Sequence, residues 1–547
     1  MSATNLNDGH TQRATTWLTP AVRAEFESEG WWTSQTWIDL VMKQVEAAPD
    51  KLAVIDETGS LTRGESMFGA RRLAAYLYSR GIRPGDVVTL VLPNWREFVL
   101  VHTAIGLVGG VINPLLPKIQ QSEMTHIMRT AGTTFVFAAA ELRGSSPWQL
   151  ACCAAEGIRS VKEVVPVRGG ANSLEDILAH PWEDVVSLPE VRPDPSAWDT
   201  VSFTSGTESL PKGVVHSHQT TMFGLRSYIG EVLGLTANDC LFMPSPLCHA
   251  SGLQWGLRAS IYTGATLVIQ DRWDAEKALQ LIDRHACTFT LAATPFIVDM
   301  VGQRAVGRGA GSSLRYVASG GTAIPRHLVQ DVREAFGAEL MAVFGSSETY
   351  VSTATRPGSP DRMLASDGRA LPGVQVLVVD ETGAPVPTDV EGEIVSRGPQ
   401  VFVGYLGDPD LTHRAFRGEW YRFGDLGRID GDGMLHVTGR IKDIVIRGGE
   451  NISVREVEEL LMIHPDVDSV AVVGYPDPRL GERCCAMIVS ARPDRVGLAD
   501  LSEFLLANGL AKFKLPERVE VVEEMPMTAT GKIRKAELRR RLLVEFS

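Results

Sequence analysis

Apolar runs alternate with helically spaced segments along most of the chain, and that alternation predicts the architecture. Residues 51–58, KLAVIDET, switch between apolar and polar positions as a half-buried strand does. Residues 62–81, TRGESMFGARRLAAYLYSRG, carry apolar side chains at helical spacing and stop at Gly81. DVVTLVLP (86–93) is a continuous apolar run, the pattern of a strand covered on both faces. ATLVIQ (265–270), DAEKALQLIDRHA (274–286) and CTFTLAATP (287–295) read as strand, helix and strand, the unit of a parallel sheet. The stretch from Phe98 to Pro117 has the length of a membrane span, but it holds His102, Asn113, Pro114, Pro117 and three glycines. It is expected to be a buried helix, a turn and a short strand, with no membrane span.

The pattern changes near residue 373. GVQVLVVDETGAPVPTDVEGEIVSRG (373–398) breaks into short strands with turns at Thr382-Gly383 and Glu391-Gly392, which predicts a β-rich subdomain. Beyond residue 440 the units are small. A helix at VREVEELLMI precedes strands at SVAVVGY and CCAMIVS, a helix at LADLSEFLLANG and a basic last helix at KAELRRRLL. No internal repeat or low-complexity tract interrupts this order.

Composition narrows the class. An apolar content of 44% and a charged content of 22% are ordinary for a chain with a full core. The net charge of −13 argues against nucleic acid or an anionic membrane as partner. Anionic substrates would have to be drawn by local basic groups. Seven cysteines include the adjacent pairs Cys152-Cys153 and Cys484-Cys485, without a CxxC spacing, which predicts reduced thiols. The first residues, MSATNLNDGHTQRATTW, lack an apolar signal core, so a cytoplasmic location is expected.

Five short stretches carry candidate chemistry. TSGTESLPKG (204–213) offers hydroxyls, glycines and Lys212 between two strand-like runs, with the acid Glu208 at its centre. It suits either a phosphate cradle or a hydroxyl-rich surface hairpin. In AVFGSSETY (342–350) an apolar strand ends in Gly345, two serines and Glu348, a hard carboxylate of the kind Mg²⁺ takes, or an ordinary helix start. EWYRFGDLGRID (419–430) sets Asp425 between glycines, as in a tight turn, where it could accept both hydroxyls of a ribose. HVTGRIKDIVIRGGENIS (436–453) reads as a hinge or a plain β-turn, and PMTATGKIRKAEL (526–538) presents Lys532 in a loop before the last helix.

Taken together and in this order, the five resemble the adenylate-forming superfamily of acyl-CoA synthetases, peptide-synthetase adenylation domains and luciferases, over essentially residues 30–540. The resemblance implies an α/β fold: a large N-terminal domain (1–438) of layered βαβ subdomains plus a β-barrel subdomain, a hinge (439–442), and a small mobile α+β C-terminal domain (443–547). It implies that Thr204, Ser205, Gly206, Thr207 and Lys212 bind the β- and γ-phosphates of ATP, and that Gly320, Gly321 and Thr322 border adenine and the acyl pocket. Phe344 and Gly345 would flank adenine, Ser347 would reach the α-phosphate, Ser346 would belong to the same nucleotide-binding set, and Glu348 would bind Mg²⁺. Asp425 and Arg440 would contact ribose, Lys442 would sit at the hinge, and Lys532 would catalyse adenylation. Arg447, Gly448 and Gly449 would line a channel for the pantetheine arm of CoA or of a carrier protein.

The acyl pocket is expected along PLCHASGLQWG (246–256), LAATPFI (291–297) and VASGGTA (317–323), with His249, Trp255, Gly256, Thr294 and Ser319 facing it. Amino-acid-activating relatives usually place an aspartate where this chain has CHASG, so a plain carboxylic acid is favoured. His249 is either a gate or contact to that acid or a hydrogen-bonded structural residue. His216 and His218 alternate on a strand, but a third metal ligand is lacking. The segment from 246 to 296 looks most like the cyclohexanecarboxylate and medium-chain acyl-CoA ligase branch. The implied reaction is activation of a cyclic, aromatic or medium-chain acid by ATP, followed by thioester formation with CoA. Loading of an acyl carrier protein and an inactive nucleotide-binding relative are the alternatives.

Overall fold

A computed structural model describes residues 17–189, 192–204, 210–307, 311–321, 324–325, 327–527 and 533–544. Among these residues the predicted alternation resolves into four sheets. One has nine strands, with Phe289–Ala292, Cys240–Met243 and Thr266–Ile269 in parallel at its centre. The second has seven, with Val87–Val91 wholly buried between the parallel strands Val111–Pro114 and Phe135–Ala139. Helices cover these sheets, as parallel strands joined by crossovers require.

Local signals set the element ends. The helix Arg63–Ser79 begins in a capping box in which Thr62 and Glu65 each bond the other's backbone N–H. The stretch that resembled a span is the helix Arg96–Leu107 and the strand Val111–Pro114, and no described helix is long and apolar enough to cross a membrane.

The β-rich region is a five-stranded antiparallel sheet: Gln375–Val379, Gly392–Arg397, Trp420–Ile429, Phe416–Arg417 and Leu435–Arg440. Asp425 corrects the expectation of a tight turn. It lies inside the strand Trp420–Ile429, directly opposite Arg440, because pairing with Leu435–Arg440 runs the chain through its flanking glycines.

The last sheet joins Glu450–Ser453, Ile444–Arg447, Gly481–Val489, Ser469–Asp477 and Arg518–Val521. The helices Val454–Leu461 and Leu498–Ala507 pack on one face, and Lys535–Val544 packs on the other through Leu538 and Leu542. This unit meets the rest at Ser453, whose hydroxyl donates to the Thr438 carbonyl at 2.6 Å, and at Arg455, 4.0 Å from Asp367. All seven cysteines are free; the Cys240 and Cys287 sulfurs lie 3.6 Å apart.

Candidate functional site

The phosphate-like loop joins two antiparallel strands, Trp198–Thr204 and Lys212–Ser217, with Thr204 opposite Lys212. Ser205, Gly206 and Thr207 lie outside the described residues, as do Thr322 and Lys532. Outside this hairpin runs the two-residue strand Gly404–Tyr405, paired with Val214 and Val215. That pairing puts the Tyr405 ring 5.7 Å from the Lys212 ammonium, within cation–π reach.

The phenol of Tyr405 donates to Oε1 of Glu348 at 2.8 Å. Burial, and then the Glu348 carboxylate, push this phenol well above its ordinary pKa, so it stays protonated and donating. Tyr421 is raised by burial and by the same carboxylate. The segment holding Tyr405 is braced from the N-terminus: Trp32 Nε1 donates to the Pro399 carbonyl and Trp17 Nε1 to that of Phe402, each at 3.1 Å.

Glu348 follows the strand Glu339–Ser346 in a turn that only glycine at 345 allows, because a Cβ there would lie 1.7 Å from the Tyr350 carbonyl oxygen. Tyr350 itself has φ of 53°, costly for a bulky side chain. The Ser347 carbonyl accepts from His216 Nε2 at 2.7 Å, and the Glu348 carbonyl accepts from Phe402 N–H at 2.7 Å. Phe344 packs on Phe423 with ring centroids 4.7 Å apart. At the end of the neighbouring strand a Cβ on Gly320 would meet the Val343 carbonyl oxygen at 2.4 Å, and Gly321 has φ of 82°. Backbone approach accounts for the first glycine and the left-handed conformation for the second.

Among the described residues there is no group of three or more His, Cys, Asp or Glu that could hold a metal. Glu348 is a single hard carboxylate, bonded to the phenol whose ring faces Lys212. It fits Mg²⁺, which binds through one or two carboxylates and the oxygens of a phosphorylated substrate.

The expected acyl-pocket residues gather on neighbouring elements. Thr294 and Ser319 hydroxyls are 3.1 Å apart. Trp255 and Gly256 sit on a π-helical stretch, Leu253–Arg258, a geometry frequent at functional sites. The Trp255 ring meets Tyr228 and Tyr350 edge to face, at 5.4 and 6.1 Å. His249 caps the helix Ala250–Gly252: its Nδ1 accepts from the Ser251 N–H at 3.2 Å and lies 2.9 Å from the Ser251 hydroxyl.

Arg258, at the end of the π-helical stretch, is fully buried against fully buried Asp199 with N···O distances of 2.8 and 2.9 Å. Trp37 and Thr221 donate to the same carboxylate. Burial pushes Asp199 up, but Arg258, His218 and these hydrogen bonds outweigh it and leave the pKa at about 2.

Asp425 and Arg440 are joined at 2.8 Å. Lys442 is exposed on the short 3₁₀ turn Ile441–Asp443. Gly448 and Gly449, with φ of 61° and 92°, form the turn between Ile444–Arg447 and Glu450–Ser453, so the plain β-turn is present there. Arg447 is held by Glu517 and by the Phe513 carbonyl.

Sequence reasoning missed Tyr405, whose only signal is the dipeptide Gly404-Tyr405. It treated His216 and His218 as neighbours on one strand, but the strand ends at Ser217 and His218 opens the helix His218–Gly224.

Residues 41–406 match the AMP-binding enzyme family and residues 456–532 match the AMP-binding enzyme C-terminal domain. The medium-chain fatty-acid–CoA ligase of Escherichia coli (strain K12) is 35% identical over 95% of this chain and 93% of its own length. The salicylyl-CoA synthase / salicylate adenylyltransferase of a Streptomyces species is 31% identical over 94% of this chain and 95% of its own. The crystal structure of the anthranilate CoA ligase AuaEII in complex with anthranoyl-AMP superposes with a TM-score of 0.86 at 24% identity, covering 94% of this chain and 98% of that one.

Proposed function

We propose that this chain, which belongs to the AMP-binding enzyme family, converts a cyclic, aromatic or medium-chain carboxylic acid to its CoA thioester through an acyl-adenylate. It is an AMP-forming enzyme that adenylates a carboxylic acid with ATP. The observation that supports the adenylation step is that Tyr405 bonds Glu348 through its hydroxyl and offers its ring face to Lys212. A phosphate-seeking cation and a metal-seeking carboxylate thus share one neutral side chain.

In the first step a carboxylate oxygen attacks the α-phosphorus of ATP, the bond to pyrophosphate breaks, and pyrophosphate leaves. Two anions approach one another, so positioned cations are the main resource. Thr204, Ser205, Gly206, Thr207 and Lys212 grip the β- and γ-phosphates. The Glu348 carboxylate would hold a Mg²⁺ that neutralises phosphate charge. Ser347 reaches the α-phosphate, Asp425 accepts from the ribose hydroxyls, and Lys532 bridges the two reacting groups.

In the second step the thiol sulfur attacks the acyl carbon and AMP leaves. The C-terminal unit, 443–547, turns about Lys442 on the N-terminal domain, 1–438, withdrawing Lys532 and presenting Arg447, Gly448 and Gly449 to the pantetheine arm. The substrate class rests on the segments 246–256, 291–297 and 317–323, which carry no carboxylate to hold an ammonium. The likeness to a medium-chain ligase supports it too. Transfer to a carrier-protein phosphopantetheine is the second reading, because the thiol chemistry of the second step is the same.

Carboxylate-dependent exchange of pyrophosphate into ATP, across a panel of cyclic, aromatic and C6–C12 acids, tests the first step. Adding CoA and weighing the product by mass spectrometry tests the second. Exchange without acyl-CoA would favour the carrier reading. No exchange with any acid would point to an inactive nucleotide binder.

A further inference from the structure

His216 is buried and stands between two parts of the site that no covalent segment joins directly. Its Nε2 lies 2.7 Å from the Ser347 carbonyl oxygen, its Nδ1 lies 3.0 Å from the Thr220 hydroxyl, and its ring stacks on Tyr350 at 4.0 Å and 19°. A carbonyl can only accept, so Nε2 carries the proton. Burial favours the neutral ring, so Nδ1 is left facing the Thr220 hydroxyl, which also lies 3.0 Å from the Ser217 carbonyl. Tyr350 in turn lies against Trp255 on the π-helical stretch of the acyl pocket and bonds Thr221 through its hydroxyl at 3.3 Å.

A peptide group is a rigid plane. Fixing the oxygen between Ser347 and Glu348 therefore sets where both side chains point. The next carbonyl, that of Glu348, is fixed independently by Phe402 N–H. The turn also contains the strained Tyr350, and such a conformation persists only where its surroundings over-determine it. The stacked imidazole supplies that constraint.

We propose that His216 is a positioning residue for adenylation, tying Tyr350, which packs on Trp255 of the proposed acyl pocket, to the turn that carries Ser347 and Glu348. The inference rests on the reading of Glu348 and Ser347 as the metal and α-phosphate contacts.

The test compares His216→Leu, which keeps volume and removes the donor, with His216→Gln, whose amide N–H can still reach Ser347. Calorimetric binding of ATP with Mg²⁺, without acid, is measured beside acid-dependent exchange. His216→Leu should weaken ATP binding and lower kcat/KM for ATP by about 10–100-fold, as a misplaced contact does. His216→Gln should stay within about threefold of the parent, with both variants melting as cooperatively as it does. ATP affinity of His216→Leu equal to the parent's would overturn the proposal. So would equal impairment of the two variants, because packing alone would then explain the residue. A parent that binds ATP but shows no exchange would sink the functional reading, while the binding comparison still decides the role of His216.

Discussion

Tyr405 donates a 2.8 Å hydrogen bond to Glu348 and offers its ring face to Lys212, so one phenol aligns a carboxylate and an ammonium contributed by distant parts of the chain. Removing the hydroxyl alone should therefore loosen Glu348 and leave Lys212 in place. For Tyr405→Phe, the Mg²⁺ concentration giving half-maximal exchange should rise by about tenfold, the order expected for losing a hydrogen bond to a charged group. Tyr405→Leu, which also loses the ring, should raise the KM for ATP further. A magnesium titration at fixed ATP reads both, and an unchanged midpoint in Tyr405→Phe would remove Tyr405 from the site.

Lys532 is assigned to the first half-reaction only. Lys532→Ala should slow adenylate formation by about 10²–10³ or more, the usual cost of one preorganised charged contact. It should largely spare thioester formation from a supplied acyl-adenylate. Rapid-quench assays of each half-reaction make the comparison; equal losses in both would contradict the assignment.

Acid should destabilise the fold in two stages. Burial lowers His216 to about 4, against the bonding of the Ser347 carbonyl, and lowers His102 and His218 as well. Their neutral forms face Asp199 and Arg258 inside the protein. Below the ordinary histidine value the unfolded chain takes up protons that the folded chain refuses, so stability falls as pH drops from about 6.5 towards 4. His216 alone accounts for about 3 kcal/mol of that loss. Asp199, held at about 2, contributes fully above the ordinary aspartate value and loses that contribution only as pH falls below about 4. Urea midpoints from about pH 7 to about pH 4 should slope downward, and the slope should be shallower in His216→Leu.

Breaking the Asp199–Arg258 pair strands a charge with no solvent beside it. Asp199→Asn or Arg258→Met alone should cost about 3–5 kcal/mol. The double variant should recover part of that, since neither charge then remains. Denaturation midpoints of the four proteins form the cycle, and additive losses would show that the two groups act independently.

Much of this was legible in the sequence because the signals are local. Period-two runs, helical spacing over 62–81 and a glycine at 81 set elements without help from distant residues. The five motifs were legible for the same reason. Asp425 was misjudged because its glycine neighbours favour a turn, and only pairing with Arg440 across a hairpin keeps the strand running. Tyr405 was invisible because a two-residue strand has no period to detect; its place is set by Val214 and by the tryptophans that brace residues 399–402. His216 was visible as a residue, but its partner Ser347 is 131 positions away.

The strand Gly404–Tyr405 also covers the outer edge of Lys212–Ser217, whose Val214 and Val215 are wholly buried. An uncovered strand of that composition is a template for pairing with another chain. Any event that peels this short segment away, such as proteolytic nicking nearby or loss of the tryptophan braces, uncovers a sticky edge as it separates Glu348 from the ring that faces Lys212. Loss of activity and onset of aggregation should then arrive together, with no soluble inactive form between them.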